Sequence, residues 1–428
     1  MNHPIKQLAA LLCAAWIVFS LLPARAWALE MDDACLYVSE TCGNPLYPQP
    51  DSREISYDEP GTAALADTGT GDGISFSDAV SAGAHVARQY KTREGAVFFY
   101  TGYPTGGPFL ALTADEENAA YSDAEQTLAE QGASHASILT RRRFLKYLRQ
   151  LVTEEILPAA FRHDPGDPTG GDYMRTQYQD VTYTAAYDGY TYGISITFTY
   201  LTTAAQDAEL TQAAAALLDF LRLEGKTDYA RLQAIYGWIC GHVTYDYEHL
   251  KDDTYPLKYS AYAALVDKTA VCQGYAALLY RLALAAGVDI RIVTGTGNGA
   301  PHGWNLVKLG SLWYYADATW DAGYQSWSYF LRPSLPYHVL DDASAALVAS
   351  CPLSSTAFAV KAGQLNGDSR IDIQDVQLLY TYLLTGSVPA GGTVLPDGDF
   401  QLAADVNADG YVDVYDLQTL YEIACGIA

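Results

Sequence analysis

A twelve-residue run near the C-terminus carries oxygen-bearing side chains at regular positions. Side-chain oxygens fall at positions 1, 3, 5, 9 and 12, which are Asp405, Asn407, Asp409, Asp413 and Asp416. Position 7, Tyr411, offers a backbone carbonyl, and Gly410 at position 6 allows a sharp turn. This spacing of oxygen ligands is typical of a calcium loop. The run therefore predicts that this segment folds around Ca²⁺.

The same frame occurs once more, forty-one residues earlier, from Gln364 to Asp375. Its predicted ligands are Asn366, Asp368, the backbone carbonyl of Arg370, Asp372 and Asp375. The copy departs from the frame twice, because Gln364 replaces the leading acid and Ser369 replaces the glycine. Fewer charged ligands predict weaker binding, so we expect two Ca²⁺ sites of which the first is the weaker.

Each loop runs into a short apolar helix, predicted at 376–384 and 417–424, with no helix entering the loop. This duplicated loop-plus-helix resembles the dockerin family. The resemblance implies a small all-α domain that binds a cohesin domain of a scaffold protein when calcium is present, as in cellulosomes. It also implies that positions 10 and 11 of each loop, Ile373-Gln374 and Val414-Tyr415, help to select the partner. The alternatives are a purely structural calcium clip or acidic turns that bind nothing.

A cysteine stands at the predicted start of an apolar helix in the middle of the chain. Cys272 precedes a helical pattern that Gly287 ends. The first turn of a helix has unpaired N–H groups and the positive end of the helix dipole, and both favour an anionic sulfur. Cys272 is therefore a candidate nucleophile, which needs a base nearby.

His302 is the candidate base. Gly310-Ser311 predicts a two-residue hairpin turn that sets Leu309 opposite Leu312, and hence His302 opposite Thr319. Asp317 then points to the same face as His302 at a diagonal separation of ~7–8 Å between backbones. Side chains can close that gap, so Asp317 can hold the imidazole in the tautomer that accepts the Cys272 proton.

Three segments around these residues are AVCQGYAALLYRLALAAGV, PHGWNLV and LWYYADATWD. They resemble the transglutaminase-like superfamily of papain-type folds. The resemblance implies Cys272 as nucleophile, His302 as general base and Asp317 as the acid that orients it. It also implies an oxyanion hole from the Cys272 N–H and an aromatic residue, for which Tyr259 is the candidate. The acyl-enzyme of such a triad is resolved by water in a peptidase or amidase, or by an amine in a cross-linking enzyme.

The two resemblances imply an α+β fold, with a papain-like transglutaminase core, a preceding α/β region and a small all-α dockerin. The predicted division of the chain is a signal peptide at 1–28, an extended lead-in at 29–73, an α/β region of unknown function at 74–223, the transglutaminase-like domain at 224–340, a linker at 341–361 and the dockerin at 362–428.

The predicted signal peptide and the charge of the chain indicate its compartment and its partners. An apolar run that ends in small-residue cleavage frames predicts export, without a membrane anchor. The net charge is -25, and removal of Lys6 and Arg25 with residues 1–28 takes it to -27. Such a charge repels nucleic acid. We therefore expect a secreted or scaffold-bound protein with a protein or peptide substrate.

Two other functions remain open from the sequence. The first is a non-catalytic binding or structural subunit that keeps an inactive transglutaminase-like fold. The second is a polysaccharide-degrading hydrolase, for which Asp246 and Glu248 are the imaginable carboxylates, although they have no supporting context. The remaining histidines have no motif around them and are assigned to the surface or the core; they are His85, His135, His163, His242, His249 and His338.

Overall fold

The computed structural model describes residues 36–46, 53–57, 74–322, 327–358, 362–366, 371–389 and 397–427. The predicted signal peptide lies outside the described residues, as do the predicted calcium ligands Asp368 and Arg370. A search of the described helices finds none with the length and hydropathy that a membrane span needs.

The N-terminal part of the described chain folds around one sheet, in the order β2-β1-β5-β6-β4-β3. The strands are β1 (Leu36–Gly43), β2 (Glu54–Ser56), β3 (Ser75–Phe76), β4 (Ala96–Tyr100), β5 (Tyr178–Tyr187) and β6 (Tyr192–Tyr200). The helices are α1 (Ala79–Thr92), α2 (Ala114–Asn118), α3 (Asp123–Glu130), α4 (His135–Gln150), α5 (Leu157–Ala160) and α6 (Asp172–Thr176), with a π-helical turn Leu151–Ile156 between α4 and α5. Phe144, Leu148 and Ile194 are among the residues of the core between these helices and the sheet.

The predicted lead-in at 29–73 differs from the structure at β1, which lies inside the sheet between β2 and β5. Its period-two pattern is masked in the sequence because an acid, Glu40, occupies an inward position beside buried Val38. Glu40 has no exposed surface, and it accepts hydrogen bonds from Arg149 at 2.7–3.1 Å and from the Tyr183 hydroxyl. A charged partner from another element thus makes this strand possible.

The second part of the chain packs its helices against a second sheet, in the order β11-β10-β9-β12. The helices are α7 (Ala204–Leu221), α8 (Asp228–His242), α9 (Cys272–Ala285), α10 (Ala318–Asp321) and α11 (Asp342–Ala349), with a 3₁₀ turn Pro256–Tyr259 and a π turn Ala263–Asp267. The strands are β7 (Thr244–Tyr245), β8 (Thr269–Ala270), β9 (Ile290–Gly297), β10 (Ala300–Leu309), β11 (Leu312–Ala316) and β12 (His338–Leu340), of which β7 and β8 form a separate parallel pair. Nearly every residue of α9 is buried, so this helix is the centre of the core.

Both predicted boundaries of this domain lie too far inward. Leu210 and Leu217 of α7 belong to the same core as α9, so the domain begins before residue 224. The predicted linker at 341–361 contains α11, and the buried Ser344 hydroxyl accepts a hydrogen bond from the Thr294 N–H at 2.9 Å. Small residues such as Ala and Ser read as linker in the sequence, yet here they allow α11 to pack closely on β9 and β12.

The C-terminal part is helical, with α12 (Ile373–Thr385), α13 (Asp397–Ala404) and α14 (Val414–Ala424) around a small core that includes Leu379, Phe400 and Leu420. The prediction that no helix enters the loops is wrong for the second loop, because α13 ends directly before Asp405. The second loop packs against the N-terminus of α8 and the residues just before it. The Thr227 N–H donates to the Gly410 carbonyl at 2.8 Å, and Lys226 Nζ donates to the Asp409 carbonyl at 3.1 Å.

We predict that Arg149→Met lowers the free energy of unfolding of the N-terminal sheet by about 3 kcal/mol, because Glu40 is then buried without a cation. Urea-dependent hydrogen exchange of the β5 amides measures the loss. The control is Glu40→Gln with Arg149→Met, which leaves no buried charge and should lose less. Equal losses in the single and double variants would contradict the ionic role.

Candidate active site and calcium loops

Cys272 begins the central helix, as predicted, and its position depends on a glycine. Val271 is the N-cap of α9, and Cys272 is its first residue and half-buried. A Cβ atom at Gly274 would lie 2.7 Å from Ala270 Cβ and 2.8 Å from the Ser260 carbonyl oxygen. Only glycine therefore lets the first turn of α9 pack this closely against the chain before it.

His302 and Asp317 meet at the end of the β10–β11 hairpin. The strands pair Leu309 with Leu312, the register that the turn predicts, up to Asn305 opposite Ala316. The predicted pairing of His302 with Thr319 does not form, because β11 ends at Ala316 and Asp317 becomes the N-cap of α10. The two side chains still reach each other, with His302 Nε2 at 2.8 Å from Asp317 Oδ2.

The Asp317 carboxylate is held from both sides. Its Oδ1 accepts hydrogen bonds from the N–H groups of Thr319 at 2.9 Å and Trp320 at 3.2 Å. Burial raises the pKa of Asp317, but the hydrogen bonds from His302 and His338 outweigh burial, so the pKa lies below its usual value. An ionised Asp317 accepts a hydrogen bond from the Nε2–H of His302, which leaves Nδ1 as the nitrogen that can take a proton from Cys272.

The imidazole of His302 holds a proton more strongly than an exposed histidine does. Burial lowers its pKa, yet hydrogen bonds to Asp317 and Cys272 and the charges of both groups raise the pKa to about 10. The ring lies near Trp304 and Trp320, with centroid distances of 5.7 and 5.5 Å. The arrangement can thus keep a proton on His302 while the sulfur is anionic, which is the state that a thiol nucleophile needs.

The structure adds a second histidine that the sequence reasoning missed. His338 Nε2 lies 3.0 Å from Asp317 Oδ2, the same oxygen that His302 contacts. His338 reaches this position because β12 pairs with β9, with His338 opposite Gly297. The sequence around His338 has no motif, and strand pairing at this distance along the chain leaves no local signal.

Two tyrosines lie beside Cys272. Burial, with the nearby Cys272 as the next cause, raises the pKa of Tyr259 to about 12. The same two causes raise the pKa of Tyr245, which the sequence reasoning did not single out. The short parallel pair of β7 and β8 brings Tyr245 close to the start of α9. Both hydroxyls thus keep their protons and can donate hydrogen bonds at the site.

A cleft of about 920 Å³ opens beside His302. Its wall includes the aromatic side chains of Tyr245, Tyr247, Trp320 and Tyr329. The imagined carboxylates of a polysaccharide hydrolase are not paired there: buried Asp246 accepts hydrogen bonds from the backbone and the ring of His249, and Glu248 is exposed. The cleft therefore offers a mixed polar and apolar surface with four aromatic side chains next to the histidine, and no described acid pair.

The second calcium loop has the form that a cation site requires. Asp405 Oδ2 accepts the Gly410 N–H at 3.0 Å, while Asp405 Oδ1 is buried and has no hydrogen-bond partner. Burial and the charge of Asp416 raise the pKa of Asp405, and burial raises the pKa of Asp416. A hard cation among these oxygens would satisfy the orphaned atom and favour both carboxylates, so the residues fit Ca²⁺.

The remaining candidate ligands of the second loop form hydrogen bonds within the loop. The Asn407 side-chain oxygen accepts the Asp409 N–H, and Asp409 Oδ1 accepts the N–H of Tyr411, both at 2.9 Å. Asp413 caps α14 and forms a capping box with Asp416. These contacts set the backbone turn that a twelve-residue loop needs.

The first loop repeats the last part of this arrangement. Asp375 is fully buried and accepts the N–H groups of Leu365 at 2.7 Å and Asp372 at 2.9 Å, and Asp372 caps α12. The Asn366 side chain donates to Gln374 at 3.4 Å. Because the middle of the loop lies outside the described residues, the structure does not test the Asp368 and Arg370 ligands.

Comparison with known families identifies two domains in this chain. The model of the transglutaminase-like superfamily matches residues 215–318, and the model of the dockerin type I domain matches residues 362–422. The chain thus contains a transglutaminase-like core of α+β type and a C-terminal dockerin, as predicted. The start at residue 215, within α7, agrees with the packing of that helix on the core of the domain.

Individual proteins match the same part of the chain. Kyphoscoliosis peptidases of Mus musculus and Homo sapiens are each 32% identical over 119 residues, which is 25% of this chain. The match spans only 18% of the length of each relative. A solved structure entitled "Crystal structure of a TGase" is 18% identical, covers 30% of this chain and 41% of its own, and has a TM-score of 0.24.

We predict that iodoacetamide at neutral pH alkylates Cys272 at least about tenfold faster than Cys240, as expected for a thiol at a helix start against a buried one. Cys240 is the internal control, because it is 5% exposed, and burial raises its pKa with the charges of Asp321 and Asp317 adding to the effect. Peptide mapping by mass spectrometry reads both sites in one sample. Equal labelling of the two would contradict an activated Cys272.

Proposed function

We propose that this chain is an exported, cellulosome-type subunit in which a thiol domain cleaves or transfers amide bonds of proteins or peptides and a dockerin binds a cohesin domain. One feature supports the enzymatic half most strongly, namely the line from Cys272 through His302 to a fixed Asp317. The dockerin type I match supports the scaffold half. The inactive-fold alternative has no support from the side chains, since all three positions carry reactive groups in contact.

The acylation step follows from this line of residues. The Cys272 sulfur, as the thiolate, attacks the carbonyl carbon of an amide bond, and a C–S bond forms while negative charge develops on the carbonyl oxygen. His302 then gives its Nδ1 proton to the nitrogen of the leaving amine, and the C–N bond breaks. Asp317 stabilises the imidazolium before the transfer and fixes the ring throughout.

The resulting thioester can be resolved in two ways. Water loses a proton to His302, its oxygen attacks the thioester carbonyl, and the C–S bond breaks to give an acid; this is a peptidase or amidase. A primary amine does the same through nitrogen and gives a new amide, which is a cross-link. Two similar proteins are named peptidases, and this supports hydrolysis as the first expectation.

The oxyanion would be held by the Cys272 N–H and by a tyrosine hydroxyl. Tyr259 is the donor that the family resemblance implies, and Tyr245 is the second hydroxyl near the sulfur. Both phenols are protonated at neutral pH, as an ordinary tyrosine is, and their raised pKa values keep them so at higher pH; a protonated phenol can donate. The aromatic cleft beside His302 supports a peptide substrate with large side chains next to the reacting bond.

The dockerin would hold calcium through the residues of its two loops and present its helices to the cohesin. The ligands are Asp405, Asn407, Asp409, Tyr411, Asp413 and Asp416 in the second loop, and Asn366, Asp368, Arg370, Asp372 and Asp375 in the first. Calcium supplies the positive charge that lets these carboxylates lie together. Ile373, Val414 and Tyr415 are each more than half exposed, which supports a partner surface at positions 10 and 11.

We predict that Cys272→Ala lowers product formation by about a thousandfold or more, because the nucleophile is lost. Wild type and variant are incubated with a mixed pool of peptides and amines, and products are read by mass. Cleaved bonds indicate a peptidase, whereas ammonia loss with amine gain indicates a transferase. Cys351→Ala is the matched control, since this half-buried cysteine follows the C-terminus of α11 and its Sγ contacts the Leu347 carbonyl oxygen. Identical products from wild type and Cys272→Ala would refute the catalytic proposal.

We predict that the two calcium loops contribute unequally to partner binding. Asp405→Ala removes the buried leading acid of the second loop and should weaken cohesin binding by about a hundredfold, whereas Gln364→Ala removes no charge and should change it little. Pull-down on immobilised cohesin domains with calcium or with a chelator measures both. Equal losses for the two variants would contradict the asymmetry.

A further inference from the structure

The side chain of His338 has an acceptor at each end of its ring. Nδ1 lies 2.9 Å from the Pro336 carbonyl oxygen, and Nε2 lies 3.0 Å from Asp317 Oδ2. Neither oxygen can donate, because one is a carbonyl and the other belongs to a carboxylate that the hydrogen bonds keep ionised. A neutral histidine has a hydrogen on only one nitrogen and would set its other lone pair against an acceptor. Only the doubly protonated ring satisfies both contacts.

The surroundings suit a buried cation. The side chain of His338 is 3% exposed and that of Asp317 is 1% exposed, so water does not screen the pair. The ring lies 4.3 Å from the Trp320 ring and 4.9 Å from the Trp304 ring by centroids, so these neighbours are aromatic and carry no positive charge of their own. The ring is thus enclosed by one anion, one carbonyl and aromatic side chains.

We propose that His338 is a positioning residue of the thiol site: as an imidazolium it shares Asp317 with His302 and sets how strongly His302 holds its proton. This inference rests on the proposed function of Cys272 and His302. It assigns a task to a side chain that touches neither the sulfur nor, in the geometry described, the reacting bond.

The charge count gives the direction of the effect. When His302 is protonated, two cations share one carboxylate oxygen, so the charge of His338 opposes the charge of His302. His302 therefore releases its proton to the leaving amine more readily than it would beside Asp317 alone. The strong hold that Asp317 and Cys272 exert on this proton is partly offset, which suits a group that must both accept and return a proton.

The neighbouring titratable groups are few in the described part of the site. From β10 the ring faces His302, from the start of α10 it faces Asp317, and from the segment before β12 it faces Tyr329. Cys272 lies beyond His302, and the carboxyl of Asp321 lies beyond Asp317. The strand β9 contributes Gly297 opposite His338 and no charge at that position.

The kinetic test follows Cys272 alkylation by iodoacetamide from pH 5 to pH 12, a range that extends above the raised pKa of His302. In His338→Gln the amide can still donate to Asp317 but carries no charge, so the step at which the imidazolium of His302 loses its proton should move up by about one pH unit. A purely structural role would change the rate evenly at all pH values. Superimposable profiles, or an even change, would overturn the proposal.

His249→Gln is the matched control, because His249 also contacts a buried carboxylate, with Nδ1 3.0 Å from Asp246 Oδ2, and it lies between Tyr247 and Leu250, which line the same cleft. Its profile should follow wild type, and a shift equal to that of His338→Gln would overturn the specific assignment. A Cys272 that does not react at any pH in any of the three proteins would instead refute the proposed function itself.

The protonation state can also be read directly. In calcium-loaded, full-length Cys272→Ala labelled with ¹⁵N-histidine, the ring whose signals disappear in His338→Gln should have both nitrogens protonated at pH 8. A singly protonated His338 would overturn the proposal.

The ring nitrogen of His338, the Asp317 oxygen and the His302 nitrogen lie within 4.8 Å of one another, so a metal ion is the rival occupant of this place. A reactivity that zinc quenches and a chelator restores, without the imidazolium signal, would replace the proposal with that metal site.

Discussion

The carboxylate of Asp317 is the point on which the thiol site depends. It accepts four hydrogen bonds, two from the backbone at the start of α10 and two from histidines on β10 and β12. Residues near the starts of β10, α10 and β12, which are separate in the sequence, therefore all donate hydrogen bonds to one buried carboxylate. Because the carboxylate cannot turn without breaking several of these bonds, the ring of His302 has one orientation, and so does the nitrogen that faces Cys272. The hairpin and the central helix set where His302 and Cys272 lie, but the Asp317 carboxylate sets how the His302 ring is oriented.

Those parts of the site that are encoded locally could be predicted from the sequence. Cys272 stands at a helix start, and a two-residue turn sets the register that brings Asp317 near His302. The proposed ligands of the dockerin loops are equally local, since each is assigned by its place in a run of twelve residues. The exact pairing of His302 with Thr319 failed only because the N-cap of α10 ends the strand early. The Asp317 side chain nevertheless reaches His302, with 2.8 Å between Oδ2 and Nε2, so the predicted contact forms without the predicted strand pairing.

Features that depend on contacts between distant parts of the chain could not be predicted. His338 joins the site through pairing of β12 with β9, and nothing near it in the sequence signals that strand. The strand β1 was not predicted, because Glu40 at an inward position interrupts the apolar alternation of the sequence. Its cationic partner, Arg149 on α4, is apparent only from the structure. In the same way, the small residues of α11 read as a linker although their size is what allows close packing. Burial of a polar group by a remote partner is the common reason for these differences.

The contact between the second calcium loop and α8 bears on how a scaffold would carry this domain. The carbonyls of Asp409 and Gly410 bind Lys226 and Thr227, and the ring of Tyr411 lies 4.3 Å from Lys226 Nζ. A Cβ at Gly410 would lie 2.7 Å from Ala230, so this glycine serves both the loop and the contact. Val414 and Tyr415 remain exposed on the same loop and helix. A partner bound there would fix the orientation of the thiol domain, so its cleft would face one direction. A flexible linker would instead let the cleft reach substrates throughout a volume around the scaffold.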